Sequence, residues 1–202
     1  MLAITANLMC ENLQTSNFDY MMKENFKKRT NFHIFLVQKY IDKIIALNDP
    51  RLDLAVLKNE KEIHDKSKFE EPEYSPYLHI NWKHFMENHG KKYNPSEEIQ
   101  NQMNIATFHH ISTNRHHPEY WYKNLTLDNL NSTDRDKPAK QVDATKMPLA
   151  YVATMVADWL AMSDERKTDP YKWAEQNIGM RWKFNKDQIK LIYDLINKLY
   201  VK

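Results

Sequence analysis

Glycine is almost missing from this chain, which contains only Gly90 and Gly179 among its 202 residues. The glycine-rich loops that hold phosphates in P-loop and dinucleotide-binding folds are therefore absent. Sheet folds with many tight turns are also disfavoured, because such turns depend on glycine for backbone conformations with positive φ. The sequence thus predicts an all-α protein, and its length suits one domain with a sizeable core.

The charge balance and the single cysteine narrow the classes of function further. The 29 Lys and Arg residues nearly balance the 27 Asp and Glu residues, so we expect no strong interaction with nucleic acid. A lone cysteine, Cys10, excludes an intrachain disulfide and a cysteine-based zinc finger. No apolar run is long enough to span a bilayer, and the first residues lack the basic start of a signal peptide. We therefore expect a cytoplasmic protein with no membrane partner, and the sequence leaves its oligomeric state open.

Apolar residues recur with the helical period of 3.6 along most of the chain. The segment 148–163 is apolar on nearly every face and predicts the central buried helix. The polar stretch 123–146 before it predicts a long surface loop. We place Pro50 at the first position of the second helix and Ser75 at the cap of the third. The predicted helices are 16–47, 51–66, 76–88, 96–113, 148–163 and 186–199, with a short segment near 170–176.

Asp158 lies in the middle of the apolar segment, which offers almost no other polar group. An unpaired buried carboxylate costs several kcal/mol, so it needs a cation, a strong set of donors or a metal ion. A buried ion pair with arginine or histidine and a metal site are about equally good interpretations of this residue alone.

His64 and Asp65 form an adjacent pair near a predicted helix end, where an imidazole and a carboxylate can reach one ion. Mn, Fe, Co, Ni and Zn accept this mixture of nitrogen and oxygen ligands. Lys68 follows three residues later and could stand beside such a metal and meet a phosphate oxygen. Alternatively, Lys68 is a solvated lysine that satisfies the last carbonyls of the helix. A His-Asp dipeptide alone occurs often by chance, so its context carries the inference.

Four further histidines lie close together: His109, His110, His116 and His117. On a continuous helix the first would share a face with the third, and the second with the fourth, so the segment could hold one or two ions. The neighbouring Arg115, Glu119 and Trp121 are residue types that a pocket for an anionic, ring-bearing ligand would use. A single histidine on an apolar face, such as His33, is usually a hydrogen-bonded core residue. That interpretation weakens when so many histidines need it at once.

The order of these residues resembles the ligand series of the HD superfamily of metal-dependent phosphohydrolases: His33, His64-Asp65, His110, His116-His117 and Asp158. The segment 64–68 is similar to the HDxGK element of the HD-GYP branch, and 116–119 to its HHE element, although no GYP follows. The pattern looks closer to small bacterial and phage HD-like proteins of unassigned function. These carry an HDxSK element, an NxHHPEYW element and a late Asp-Trp, here 64–68, 114–121 and 158–159. The resemblance covers about residues 30–165 and leaves 166–202 as a helical extension.

The resemblance implies an all-helical bundle in which four residues form the metal core: His33, His64, Asp65 and Asp158. The additional histidines His110, His116 and His117 imply a second metal, with Asp65 bridging the two as in the binuclear branches. The spacing leaves His89 and His109 as alternatives to His110. We favour His110 because His89 lies beside Gly90 at a predicted helix end.

The implied activity is hydrolysis of a nucleotide or related phosphate ester by a hydroxide generated on one or two divalent ions of Mn, Fe, Co, Ni or Zn. Asp65 would hold the metal, and Lys68 and Arg115 would neutralise the phosphoryl oxygens. Glu119 or an unliganded histidine would transfer protons. Trp121 could stack on the substrate ring, as could Tyr120 and Trp159, although a place in the core explains these aromatic residues at least as well.

Two alternatives use the same residues. A di-iron oxygenase similar to inositol oxygenase has nearly the same ligand order, and metal content and O₂ consumption would distinguish it. A non-catalytic metal- or nucleotide-binding protein with this fold is the other alternative. The presence of every ligand type argues against it.

Overall fold

The computed structural model describes residues 2–129 and 140–200, with side chains for 18–128 and 140–200. Within these residues, seven α-helices dominate and the only sheet has two short strands, so the all-α prediction is confirmed. The helices are α1 (Leu2–Ala46), α2 (Leu54–Ile63), α3 (Tyr74–Asn88), α4 (Glu97–Thr113), α5 (Leu149–Arg166), α6 (Pro170–Asn177) and α7 (Lys186–Leu199). Short 3₁₀ turns occupy Lys66–Phe69, Pro118–Trp121 and Leu127–Asn129, and the strands are β1 (Val142–Asp143) and β2 (Trp182–Lys183).

Helix α5 lies at the centre of the bundle, as its apolar sequence predicts. It packs against α1, α2 and α7, and Val152, Val156 and Leu160 are fully buried. Burying apolar side chains on every face of one helix supplies a large hydrophobic stabilisation and fixes the positions of the surrounding helices. The central helix is therefore a rigid support for any functional group that it carries.

Two helix boundaries follow from capping residues that the sequence makes visible. Ser96 caps α4 by accepting a hydrogen bond from the Ile99 N–H. Asn185 and Gln188 form a reciprocal capping box at the start of α7, which has the predicted bounds. Local signals of this kind define a helix end independently of the rest of the fold.

Three other predicted helix starts are wrong. Helix α1 begins at Leu2, well before residue 16. Pro50 does not open α2, because Asp53 accepts hydrogen bonds from the first free backbone N–H groups and caps the helix instead. Helix α3 begins at Tyr74, after Glu73, and the Ser75 hydroxyl donates to Glu71 rather than capping.

Residues 130–139 of the predicted surface loop 123–146 lie outside the described residues. Strand β1, near the end of this segment, pairs in parallel with β2, with Val142 opposite Trp182. No local pattern in the sequence predicts strands of two residues. This pairing fixes the chain just before α5 against the chain just before α7. Across 2–129 and 140–200, no helix combines the length and the apolar composition needed to cross a bilayer.

Candidate metal centre

Four parts of the fold bring the predicted ligands together. Helix α1 supplies His33, the turn after α2 supplies His64 and Asp65, and α5 supplies Asp158. The remaining histidines come from the end of α4 and the segment after it: His110, His116 and His117. Residues far apart in the chain thus meet around one carboxylate.

The turn after α2 sets the direction of two adjacent ligands. Helix α2 ends at Ile63, and Asp65 adopts the left-handed backbone conformation with a φ of 58°. Adjacent side chains on a helix diverge by about 100°, so a continuing helix would send His64 and Asp65 apart. Aspartate tolerates the left-handed conformation better than most residues, and strained backbone of this kind concentrates at functional sites.

The Asp65 carboxylate lies between two groups of histidines. Its Oδ2 atom is 3.6 Å from His33 Nε2 and 3.8 Å from His64 Nε2. Its Oδ1 atom is 3.2 Å from His110 Nε2 and 3.8 Å from His116 Nε2. Each oxygen therefore faces a different group, which is the arrangement a carboxylate needs to bridge two ions.

Each group is compact enough for one ion. One ligand atom from each of His33, His64 and Asp65 lies within 4.8 Å of the others, and the same holds for His110, His116 and His117. Asp158 joins the first group, with its Oδ1 atom 3.1 Å from His33 Nε2. We name these the first histidine group (His33, His64, Asp65 and Asp158) and the second histidine group (His110, His116 and His117).

Buried nitrogen atoms without partners show that these residues fit a metal. Both ring nitrogens of His64 and the Nε2 atom of His116 are buried and have no hydrogen-bond partner among the described residues. An unsatisfied buried polar atom costs about 1–3 kcal/mol, and a metal ion would remove that cost by accepting the nitrogen lone pair. Imidazole and carboxylate together suit borderline divalent metals.

The electrostatics keep three of these ligands in the forms that bind cations. Burial lowers the pKa of His64 to about 4 and that of His116 well below its ordinary value, so both rings are neutral near pH 7. Burial alone would raise the pKa of Asp65, but Lys68, His64 and His110 hold it well below its usual range. Asp65 is therefore an ionised carboxylate beside the neutral rings of His64 and His116.

A cavity of about 1080 Å³ opens beside the metal centre, and Asp158 and His117 lie in its wall. Asp158 is the one residue between Ala150 and Ala161 that is not buried, and its side chain is 18% exposed. The expectation that Asp158 is fully buried therefore needs correction, because its carboxylate reaches both His33 and the cavity. A site of this volume accommodates a ligand with rings and phosphate groups.

None of the three residues predicted to bind substrate, Lys68, Arg115 and Trp121, lines this cavity. Arg115 is exposed on another side of the centre, where its Nη1 atom donates to the Tyr151 hydroxyl at 3.0 Å. Trp121 donates its indole N–H to the Arg115 carbonyl oxygen. Helix α4 ends at Thr113, as predicted, and the chain beyond it turns so that neither Arg115 nor Trp121 enters the cavity.

Glu119 has contacts with the chain around β2. It is buried, its Oε1 atom accepts a hydrogen bond from the Trp182 indole N–H at 2.9 Å, and the same atom lies 3.5 Å from the Arg181 guanidinium. These contacts tie the segment after α4 to β2, and the role of Glu119 in proton transfer stays a prediction.

Three further candidates, His89, His109 and Lys68, lie outside the two histidine groups. His89 is exposed at the end of α3, where its Nδ1 atom bonds the Phe85 carbonyl oxygen, so it is not a rival to His110. His109 is 38% exposed and faces Glu73 instead of Asp65. Lys68 Nζ lies 2.5 Å from Asp65 Oδ2, which places a positive charge directly beside the bridging carboxylate.

Residues 22–198, most of the chain, match the model of a family of unknown function, DUF5662. The chain belongs to this family. All seven candidate ligands lie within the matched residues. No curated protein and no solved structure matches the chain.

Two glutamates of this DUF5662 protein, which the sequence did not single out, orient the histidines. Glu165 Oε1 lies 2.5 Å from His33 Nδ1, which leaves Nε2 directed at the centre. Glu73 is fully buried, and its two oxygens meet the Nδ1 atoms of His109 and His110 at 2.9 and 2.8 Å. A carboxylate on the far nitrogen fixes the tautomer and orientation of a metal-binding histidine. Glu165 lies seven residues after Asp158 and so shares its helix face, and this spacing could have identified Glu165 from the sequence. No feature of the sequence distinguishes Glu73 from its acidic neighbours.

Replacing Glu165 with glutamine should weaken metal binding about 10- to 100-fold while the helical content stays unchanged. The amide no longer supports the His33 imidazole as a negative carboxylate does. Metal affinity measured by competition with a chelator tests this, and Glu175→Gln on the exposed face of α6 is the matched control. Equal affinities for the two variants would contradict a positioning role for Glu165.

Metal binding to this DUF5662 protein should release a proton from His33. Burial lowers the pKa of His33, but the hydrogen bonds with Asp158 and Glu165 outweigh burial and raise the pKa to about 9. His33 is therefore protonated near pH 7 without metal, and a metal must displace that proton to bind Nε2. Apparent affinity should rise with pH and level off above about pH 9.

Calorimetric titration with Zn²⁺ in buffers of different ionisation enthalpy measures the number of protons that are released when the metal binds. Glu165→Gln removes one of the bonds that raise the pKa of His33, so that variant should release less. An affinity that stays constant as pH rises from neutrality toward 9 would contradict the assignment of His33.

Proposed function

We propose that this protein is a metal-dependent hydrolase of phosphate esters, acting on a nucleotide or a related ring-bearing phosphate. One observation carries the proposal: the Asp65 carboxylate lies between two groups of histidines that contain buried nitrogen atoms without partners. The order of the ligands, which resembles that of the HD superfamily, also supports it.

The first histidine group would hold one metal ion through His33, His64, Asp65 and Asp158. The second histidine group would hold another, shared through the other oxygen of Asp65. A bound divalent metal supplies Lewis acidity to a phosphoryl oxygen and lowers the pKa of water. The carboxylates Glu165 and Glu73 keep the Nε2 atoms of His33 and His110 directed inward.

Other residues of the chain would neutralise the charge of the phosphate and give the ligand access to the centre. Lys68 places a cation against Asp65 Oδ2, close to where a phosphate oxygen would meet the centre. Asp158 and His117 belong both to the centre and to the wall of the cavity, so a ligand in the cavity has direct access to the metal-binding residues. The centre is otherwise buried, which strengthens electrostatic interactions within it.

Two measurements on one preparation test the proposal. Elemental analysis of protein purified without added metal should find a divalent transition metal. The same protein, loaded with Mn²⁺, Co²⁺ or Zn²⁺ in turn, should release inorganic phosphate from 4-nitrophenyl phosphate or from a panel of nucleotides. Protein that contains metal but hydrolyses none of these esters with any of the ions would reject the hydrolase.

A donor set of imidazoles with two carboxylates also suits iron, which makes a di-iron oxygenase the second candidate. Its ligand order is nearly the same, so the geometry of the side chains does not separate the two reactions. Iron as the resident metal, together with O₂ consumption and no phosphate release, would favour the oxygenase.

A further inference from the structure

The walls of the large cavity combine positive charge and aromatic rings outside the metal centre. Helix α5 contributes Asp158, Trp159, Met162 and Arg166 to one wall, at the spacing of a single helix face. With a rise of about 1.5 Å per residue, the backbone of Arg166 lies about 12 Å along the helix from that of Asp158. Helix α3 contributes Lys83 and His84.

The cations in this wall lack the partners that usually neutralise such groups. Among the described residues, neither Lys83 nor Arg166 has an acidic group within 4.0 Å. Arg181, also in the wall, is different because it lies 3.5 Å from the Glu119 carboxylate and packs over the Trp182 ring. The first two cations are therefore available to a ligand, whereas Arg181 has a structural role.

His84 lies beside these cations and contributes a neutral donor to the wall. Burial lowers the pKa of His84, and the nearby Arg29 and Arg166 lower it further, so the ring is neutral near pH 7 and can donate a hydrogen bond to an oxyanion. His84 Nδ1 lies 3.4 Å from Glu87, and Asp128 is exposed on the 3₁₀ turn Leu127–Asn129. A bound oxyanion would interact favourably with both Lys83 and Arg166.

Tryptophan rings form another part of the wall. Trp159 and Trp182 stack with their centroids 5.5 Å apart, and Trp173 meets Trp182 edge-on at 6.4 Å. Trp159 and Trp173 both line the cavity, and Trp159 directly follows the metal-binding Asp158 along α5. A flat ring placed here would contact tryptophan while an attached anionic group reaches the cations.

We propose that Lys83, His84 and Arg166 bind an anionic group of the ligand and that Trp159 and Trp173 bind its aromatic ring. The ligand class is a phosphorylated aromatic or heteroaromatic compound. This assignment rests on the proposed function for its link to the metal centre, but the binding itself does not require turnover. It assigns substrate recognition to residues of α3, α5 and α6 instead of Arg115 and Trp121.

Equilibrium binding of four probes to the metal-loaded protein tests this assignment: the phosphonate analogues of AMP and of phenyl phosphate, which are not hydrolysed, inorganic phosphate and adenosine. Arg166→Gln should weaken both phosphonates at least about tenfold and leave adenosine unchanged, because a charge-assisted hydrogen bond is lost. His84→Gln should weaken the same two probes. Trp173→Ala should weaken the AMP analogue and adenosine about tenfold and leave inorganic phosphate unchanged. Lys190→Gln, which removes a positive charge at an exposed position outside the cavity, is the matched control.

Metal content and phosphate release are measured on the same samples, so the two proposals can fail separately. Binding that depends on Arg166 without any hydrolysis would retain this wall as the ligand site and reject the hydrolase. Hydrolysis whose KM changes no more with Arg166→Gln than with Lys190→Gln would retain the hydrolase and overturn the assignment. Wild-type protein that binds none of the four probes at millimolar concentration would also overturn it.

Discussion

Replacing Asp65 with asparagine should remove metal from both histidine groups and abolish phosphate release, while the helical fold survives. The Asp65 carboxylate faces both groups, through Oδ2 on one side and Oδ1 on the other. An amide has no negative charge and cannot bridge two cations. Losing a partner carboxylate outside the metal shell costs 10- to 100-fold in affinity, so losing this ligand should cost at least about a hundredfold.

Asparagine is a cleaner test than alanine at this position because of the backbone. Asp65 has a φ of 58°, a conformation that asparagine tolerates but that costs alanine about 1–2 kcal/mol. Asp65→Ala should therefore lose the metal as well, with an added loss of stability. Both variants leave Lys68 without its nearby anion, so circular dichroism must first show that the helices remain.

Asp53→Asn is the matched control for this experiment. Asp53 caps α2 through hydrogen bonds from the Ala55 and Val56 N–H groups, and asparagine caps a helix equally well. The control makes the same chemical change one helix away and should keep both metal and activity. An Asp65→Asn protein with full metal content and full phosphate release would remove Asp65 from the centre.

The sequence predicted those parts of the fold that depend on local signals. The bounds of α7 follow from its apolar face and from the Asn185 capping box, and α5 follows from its apolar composition. The start of α2 was misplaced because Pro50 and Asp53 are both good starting residues, and only the three-dimensional structure shows which side chain reaches a free N–H. Strands of two residues depend on pairing across the chain and leave no local pattern.

The candidate ligands could be singled out from the sequence because their chemistry conflicts with their surroundings. A carboxylate in an apolar helix and a run of histidines both need binding partners, whatever fold the chain adopts. The residues around the cavity present no such conflict, since Lys83, His84 and Arg166 have the composition of any solvated helix face. Arg115 illustrates the converse: it is adjacent to His116 in the chain, but His116 is buried at the centre whereas Arg115 is exposed, donates to Tyr151 and does not line the large cavity.

Replacing His116 with alanine should lower the metal content from two ions per chain to one. His116 Nε2 is 3.8 Å from Asp65 Oδ1, is buried, and has no hydrogen-bond partner among the residues that the structure describes. It belongs to the second histidine group, whereas the first group keeps all four of its ligands in this variant. The remaining ion should therefore stay bound, and phosphate release should fall sharply because both ions act on the same phosphoryl group in a two-metal centre.

His109→Ala distinguishes a lost ligand from a general disturbance of the histidine-rich segment. His109 is 38% exposed and bonds Glu73, which still holds His110 in this variant, so the protein should keep both ions. Elemental analysis of wild type, His116→Ala and His109→Ala prepared side by side decides the point. A single ion per chain in the wild type, or two ions in His116→Ala, would mean that the second histidine group supports the fold and does not bind metal.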